Sequence, residues 1–463
     1  MEKSKLTRIA LILVLGMTAP AIGATIVNEA ILSLVKAFNT NIETAQWLTT
    51  GYILMMGVGV PLSAWLINRF DGKKVYLYSL AGFTITMILT VFSPNIGWLI
   101  AFRVTQGFAV GIIMPVMQTL LVLYAGGKNL GNLISVVAIP AAIFPILGPV
   151  VGGLIVNYLP WQWIFIVPLP LCVLGIIFTA KLPPVEPANR TQKLDFIGLI
   201  LLTGAFCAFI FGITKLRTTN LPLAFGMLAS GVALIVLYCV YVTHAKTVPL
   251  LDIRLFAKRN FTMSTLLTLI YGAIATGVLF ILPLYFQQIR GTTAFVAGLL
   301  LVPQGAGMFL SRSIAGKWTD KFGARPVVLG GILLTLAGTI PLALIGRFAS
   351  LVPEIIVLII RGAGLGMLSV PVMVCIYEGL DTKDAAQGTV SSRMFMQIGS
   401  ALGTAVLAIV LSHVLANTET PLTAFNTAYW CAVWITVLCV VPAMLLTGKN
   451  HYRQSDNSGE LIM

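Results

Sequence analysis

Long apolar stretches alternate with short polar ones along the chain, and this recurrence constrains the fold more than any motif does. A helix crosses the hydrocarbon core of a bilayer in about 20 residues. Apolar runs of that length occur fourteen times, from 8–31 to 425–446, and hold most of the 463 residues. Hydrophobic residues make up 58% of the chain and charged residues 10%, against about 25% charged in a soluble domain. The mean hydropathy is +0.97. A water-soluble particle cannot hide that much apolar surface. The expected fold class is therefore an all-α integral membrane protein of 14 transmembrane helices. A cytosolic enzyme, a secreted domain and a disordered chain are excluded. The first run follows Lys3, Lys5 and Arg8 and is too long for a cleaved leader, so it is expected to remain a span.

The formal net charge of +14 would point to nucleic acid in a soluble protein. Here the bases are scattered through short loops, which points instead to membrane orientation and to no nucleic acid. With the N-terminus inside, the inner segments hold 20 Lys and Arg and the outer loops hold five: Lys36, Lys215, Arg217, Arg290 and Arg347. That asymmetry predicts a multi-pass protein of the cell membrane with both termini cytoplasmic. Two longer inner loops, 181–194 and 244–260, divide the spans six, two and six. The expected units are an N-terminal six-helix bundle (1–180), two linker helices with their flanking loops (181–260), a C-terminal six-helix bundle (261–446) and a cytoplasmic tail (447–463). No loop is large enough for a soluble catalytic module. The six Cys lie in or beside apolar runs without metal-type spacing, and the three His are dispersed. A Gly-x-x-x-x-Gly-Lys-Ser/Thr phosphate loop is absent, so ATP is not the expected driver within this chain. Neither a metal, a cofactor nor an enzymatic activity is expected.

The two six-helix groups echo each other. Asn68-Arg69-Phe70-Asp71-Gly72-Lys73-Lys74 follows the second span, and Asp320-Lys321-Phe322-Gly323-Ala324-Arg325 follows the tenth, 252 positions later. Arg103-x-x-Gln-Gly107 in the fourth span is matched by Arg361-Gly-Ala-Gly364 in the twelfth, 258 positions on. A duplicated six-helix bundle is the parallel repeat of a rocking transporter.

With these motifs the chain resembles the major facilitator superfamily, and within it the fourteen-helix drug:proton antiporters. The resemblance covers nearly the whole chain. The short basic loop at 68–74 matches, with Asn68 in the usual Asp position. Leu99-Ile-Ala-Phe-Arg103-Val-Thr-Gln-Gly107 matches the signature of the fourth span. Gly148-Pro149-Val-Val-Gly152-Gly153 matches the antiporter signature of the fifth. Trp161-Gln-Trp-Ile-Phe165 resembles the family's entry to the sixth span, and Pro249-Leu-Leu-Asp-Ile-Arg-Leu-Phe256 its loop before the ninth. One departure stands out. The first span reads Ile22-Gly-Ala-Thr25-Ile-Val-Asn28-Glu29-Ala30, with Gly23 at the family's usual Asp and a new acid, Glu29, six residues on. Six residues turn a helix by about 240°, so Glu29 does not replace that Asp in place.

The resemblance implies a proton-coupled multidrug efflux transporter that exports amphipathic, mainly cationic or neutral compounds by alternating access. Its partners would be small-molecule drugs, protons and the lipid bilayer. A facilitator-fold transporter of one defined solute, such as an organic acid, amino acid or siderophore, is the alternative, with Arg103 and Arg361 as anchors. Glu29 is an acid within an apolar run, where burial favours the neutral form, and it is the candidate proton carrier; a headgroup position at the end of the first helix is the other reading. Arg103 is expensive in lipid unless it faces the bundle interior, and the resemblance assigns it to proton coupling. Gly148, Pro149, Gly152 and Gly153 give a small-residue face for close packing, which the resemblance reads as the bearing of an exporter. Asn68, Arg69, Asp71, Lys73, Lys74, Asp320 and Lys321 form candidate cytoplasmic gating loops, with Asp195 a possible acidic partner, or else simply obey the positive-inside rule. Trp47, Tyr52, Met56, Met114, Phe144, Tyr271 and Arg361 are candidates for lining a substrate cavity.

Overall fold

A computed structural model describes residues 3–125, 148, 151–152, 154–156, 158–187, 189–216, 221–244, 249–344, 351–378, 380, 385–417 and 420–446. The regular elements it describes are helices. Long apolar segments become helices because a backbone in lipid must satisfy its own hydrogen bonds. The first group comprises α1 (Lys3–Ala37), α2 (Ile42–Arg69), α3 (Gly72–Val91), α4 (Ile96–Ala125) and the short α5 (Trp163–Ile166) leading into α6 (Leu169–Ala180). Then come α7 (Phe196–Leu216) and α8 (Leu221–His244). A 3₁₀ turn at Ile253–Ala257 leads to α9 (Arg259–Gln288), α10 (Ala294–Leu299), α11 (Val302–Phe322), α12 (Ala324–Ala343), α13 (Val352–Tyr377), α14 (Ala385–Asn417), α15 (Pro421–Leu438) and α16 (Val440–Met444).

Twelve helical stretches among the described residues are long and apolar enough to cross a membrane. The sequence-based count of fourteen differs at two places. The expected span 131–156 falls mostly outside the described residues. The expected span 294–316 corresponds to α10 and α11, where Gln304, Ser311, Arg312, Ser313, Lys317, Asp320 and Lys321 dilute the apolar character.

Polar residues set several of the helix starts. Asn41 accepts from the backbone N–H of Thr44 at 2.7 Å and caps α2. Asp71 does the same for α3 through Lys73, at 2.9 Å. Asp195 accepts from Gly198 N at 2.9 Å at the head of α7. Such caps satisfy backbone donors that the first turn leaves open. Between α11 and α12 the chain turns at Gly323, whose φ of 87° is a left-handed conformation that glycine adopts without a Cβ penalty.

The packing repeats from one half to the other. α4 packs on α2 and α3, and α13 packs on α11 and α12. α1 packs on α6, and α9 packs on α15. The linker pair α7–α8 forms a hairpin, and α7 lies against both α2 and α14, at the seam between the halves. There a Cβ on Gly57 would stand 2.0 Å from the ring of Phe206, so glycine makes the room for that side chain. Large apolar residues such as Val232, Val236, Leu237 and Val240 of α8 are exposed, as expected of a surface that meets lipid rather than water.

Candidate functional site

Arg103 lies early in α4 and is only 1% exposed. Its Nη1 donates to Oε1 of Gln106 at 2.8 Å, its Nη2 to the Gly23 carbonyl at 3.3 Å and its Nε to the Leu48 carbonyl at 3.4 Å. The guanidinium carbon stands 4.2 Å from the centre of the Tyr52 ring, a cation–π geometry. Gln106 in turn donates to Oγ1 of Thr90 at 2.8 Å. One arginine thus ties together α1, α2 and α4, with α3 joined through Gln106. At the position where the resembled family usually carries an Asp, this chain offers the Gly23 carbonyl.

Arg361 repeats the arrangement in α13 and is fully buried. It donates from Nη1 to Oε1 of Gln304 at 2.9 Å and from Nη2 to the Ile274 carbonyl at 2.8 Å. Its partners therefore lie on α11 and α9, the counterparts of α2 and α1. Both arginines are engaged within their own half.

The loop between α2 and α3 is braced by the loop after α6. Arg69 Nη1 donates to the Gln192 carbonyl at 2.9 Å, and the indole N–H of Trp65 donates to the same oxygen at 3.1 Å. Asp71 accepts from Val185 N at 3.2 Å, and the Asn68 carbonyl accepts from Asn189 N at 2.8 Å. Arg69 also stands over the Trp65 and Phe70 rings. Lys73 is half-buried and Lys74 exposed. The expected acidic partner, Asp195, is engaged elsewhere: it is buried, caps α7 and accepts from the Tyr241 hydroxyl at 2.7 Å. Asp320 and Lys321 lie exposed at the end of α11.

Between the two halves lies a cavity of about 110 Å³. Its walls come from α1, α4, α9, α11, α13 and α14. Met17, Met117, Met373 and Met396 supply flexible apolar surface, and Gln118, Tyr271, Arg312, Ser369, Tyr377 and Arg393 supply polar groups. Of the residues expected to line a cavity, Tyr271 is on this wall. Trp47 is 45% exposed, Tyr52 lies under Arg103, Met114 packs on the first-half core and Arg361 is held within its own half. Met56 is buried, and its sulfur accepts from Nε2 of Gln397 at 3.7 Å, across the seam. Phe144 lies outside the described residues.

Hydrogen bonds close the cavity toward the face that carries the α2–α3 and α11–α12 connections. Arg393 Nε donates to Oε1 of Gln118 at 2.9 Å. Thr119 Oγ1 donates to Oγ1 of Thr389 at 3.0 Å, and Tyr377 OH meets the same Thr389 hydroxyl at 2.8 Å. These residues sit on the last turns of α4 and α13 and the first turns of α14.

α1 runs unbroken through Glu29 to Ala37, so Glu29 lies inside the helix and not at its end; its side chain lies outside the described groups. Gly148 and Gly152 are helical and buried, whereas Pro149 and Gly153 lie outside the described residues. Sequence reasoning missed three groups. Arg312, in the polar-diluted α11, is 5% exposed and faces the cavity. Arg393, in the first turns of α14, lines the same cavity and carries no sequence signal beyond a base in an apolar run. Glu354, 2% exposed, is ion-paired with Arg290, accepts from its Nε at 3.1 Å and accepts from Tyr285 OH at 3.2 Å. An acid in the first turn of an apolar run, opposite an arginine in an outer loop, was the available signal.

A two-bundle architecture with a cavity at its seam is a transporter's geometry, and comparison with known proteins decides the family. The Major Facilitator Superfamily model matches residues 9–404. The chain belongs to the major facilitator superfamily. Within that superfamily it is 30% identical over 433 residues to the multidrug resistance protein B homolog of Mycobacterium tuberculosis, covering 91% of this chain and 79% of the relative. It is 27% identical to the lincomycin resistance protein LmrB of Listeria monocytogenes, covering 84% and 83%. The solved proton:xylose symporter XylE superposes with a TM-score of 0.68 at 14% identity, covering 97% of each chain, which shows the shared facilitator fold. The major facilitator assignment accounts for the duplicated halves and for the arginine that each carries at the same place.

Proposed function

We propose that this facilitator is a proton-coupled multidrug exporter of the cell membrane, working by alternating access. The observation that carries the reading is the cavity enclosed between the halves, apolar and Met-rich, gated toward one face by hydrogen bonds that cross the seam. Such a wall adapts to varied cargo, and the relatives named for drug resistance agree with it. Fourteen spans are proposed, counting 131–156 and 294–316, with both termini in the cytoplasm, so that the closed face is the inner one. Glu29, within the first helix, is the proposed proton carrier, and Arg103 sets the electrostatics around α1. The 68–74 loop and its 320–321 counterpart act as inner-face gates, and the buried Gly148 and Gly152 as part of the sliding surface. One charge crossing about 100 mV is worth ~2.3 kcal/mol, enough for a roughly 50-fold gradient.

The test is transport by the purified chain in proteoliposomes across an imposed pH gradient, read with a panel of amphipathic dyes. Gradient-dependent movement of several dyes is expected. Glu29→Gln, which keeps size but cannot titrate, is expected to abolish it with the protein still folded; normal pumping by that variant would place the proton site elsewhere. Movement of one solute alone would favour a transporter of a defined substrate.

A further inference from the structure

The charge of the cavity is unlike what an exporter of cations needs. Two guanidiniums line it, and among the described residues no carboxylate does. Arg312 is 5% exposed. Its Nε donates to Ser369 Oγ at 3.3 Å, while its Nη1 is buried with no hydrogen-bond partner among the described residues. Arg393 is tethered to Gln118 through Nε, and its terminal amino groups make no hydrogen bond to a described residue. The acids with described side chains are engaged or placed elsewhere: Glu354 is bound to Arg290 and Tyr285, Asp195 caps α7, and Glu378 lies beyond α13 near Asn260. Arg103 is occupied by acceptors within its own half; Arg361 is held there by Gln304 and the Ile274 carbonyl, away from the cavity, with only its Nε buried without a partner among the described residues.

A guanidinium facing a low-dielectric cavity without a counterion is costly, and an anion that supplies acceptors removes the cost. Its planar fork matches carboxylate and sulfonate oxygens. The remaining wall is apolar and soft. We propose that this cavity takes amphipathic organic anions, with Arg312 and Arg393 holding the acidic head and the four methionines the apolar body. The two arginines come from different elements, α11 and α14, and Arg393 is at the same time part of the gate to Gln118. An anion between them would draw Arg393 toward Arg312 and compete with the Gln118 bond, coupling occupancy to the gate. The cavity is small against the about 300–1,000 Å³ of typical ligand sites, so cargo requires the halves to part. The proposal rests on the export reading and replaces the expectation of a mainly cationic cargo.

Isothermal titration of the detergent-solubilised full chain with naphthalene-2-sulfonate, and separately with ethidium, tests it. The sulfonate is expected to bind at least tenfold more tightly than the cation. Arg393→Gln and Ser369→Asp are each expected to weaken sulfonate binding tenfold or more. Ser369→Asp sets a carboxylate against Arg312 and so leaves no charge unpaired if Arg312→Gln proves unable to fold. Arg312→Lys keeps the charge but loses the fork and is expected to bind at an intermediate level. Sulfonate affinity unchanged in both Arg393→Gln and Ser369→Asp, or tighter binding of ethidium than of sulfonate, overturns the proposal. Transport separates the two readings. Gradient-driven movement of ethidium without the sulfonate refutes the anion site and leaves the exporter standing. Movement of neither refutes the exporter, while the titrations still decide the charge preference of the cavity.

Discussion

Arg103 and Arg361 occupy equivalent places in the two halves and solve the same problem. Each is a permanent charge inside lipid, and each spends its donors on a glutamine side chain and on helix carbonyls. Removing either leaves acceptors buried without donors. Arg103→Met is expected to destabilise the protein by about 2–4 kcal/mol, since hydrogen bonds to charged groups contribute about 1.5–3 kcal/mol each and the aromatic contact to Tyr52 is lost as well. Arg361→Met is expected to cost a similar amount. The two arginines share no partner, so the losses in the double variant are expected to add to within about 0.5 kcal/mol. Thermal unfolding in detergent measures all three. Strong non-additivity would mean that the halves communicate through these residues and do not merely contain them. Arg312 and Arg393 differ in kind: they face a shared cavity.

At the scale of elements, glycine decides how closely helices approach. α14 meets α9 through Gly399 and Gly403, where an added Cβ would stand 1.9 Å from the Leu269 carbonyl oxygen and 2.2 Å from that of Ala273. α4 meets α2 at Gly107, 2.2 Å from the Tyr52 oxygen, and α13 meets α11 at Gly362, 2.0 Å from the Gln304 oxygen. Those neighbours are backbone atoms and cannot rotate away. Lipid offers no hydrophobic drive for helix association, so such close contact is what holds the bundle together. Gly399→Ala is therefore expected to destabilise by about 1–3 kcal/mol through forced backbone shifts and to depress transport. Gly82→Ala in α3 is the control: nothing stands within 4 Å of its Cβ, and better helix propensity should add up to about 1 kcal/mol. Equal behaviour of the two variants in unfolding and transport assays would remove close packing as the reason for glycine here.

For the whole molecule, the closed face makes two predictions. Thr119 and Thr389 join the halves with their hydroxyl oxygens 3.0 Å apart. The pair Thr119→Cys and Thr389→Cys is expected to cross-link under mild oxidation and to stop transport, with activity restored by reduction, because alternating access requires this contact to open. Full transport in the cross-linked state would mean that the halves do not part at this face. The second prediction concerns sidedness. The excess of basic residues in the segments on this side predicts that it faces the cytoplasm. A reporter fused to the C-terminus is expected to be active only inside the cell, and outside activity would reverse the proposed topology.

Composition and the recurrence of apolar runs determined the solvent and the helical class, because lipid permits few solutions to the backbone's hydrogen-bonding demand; the duplication was legible in the repeated loop and arginine motifs. The 252-residue offset between basic loops reappears as the offset between the starts of α3 and α12. Arg103 and Arg361 were legible as buried because a charge in an apolar run has nowhere else to go. Their partners were not legible. A carbonyl such as that of Gly23 or Ile274 has no sequence signature, and which one a guanidinium reaches depends on how neighbouring helices cross. The anion-facing cavity was equally hidden. Arg312 and Arg393 lie 81 positions apart on two helices of the second half that line one cavity, and each alone reads as an ordinary base within a span. Sequence determines that a charge must be resolved inside the bundle; only the tertiary structure decides whether the chain resolves it with its own atoms or leaves it to a ligand.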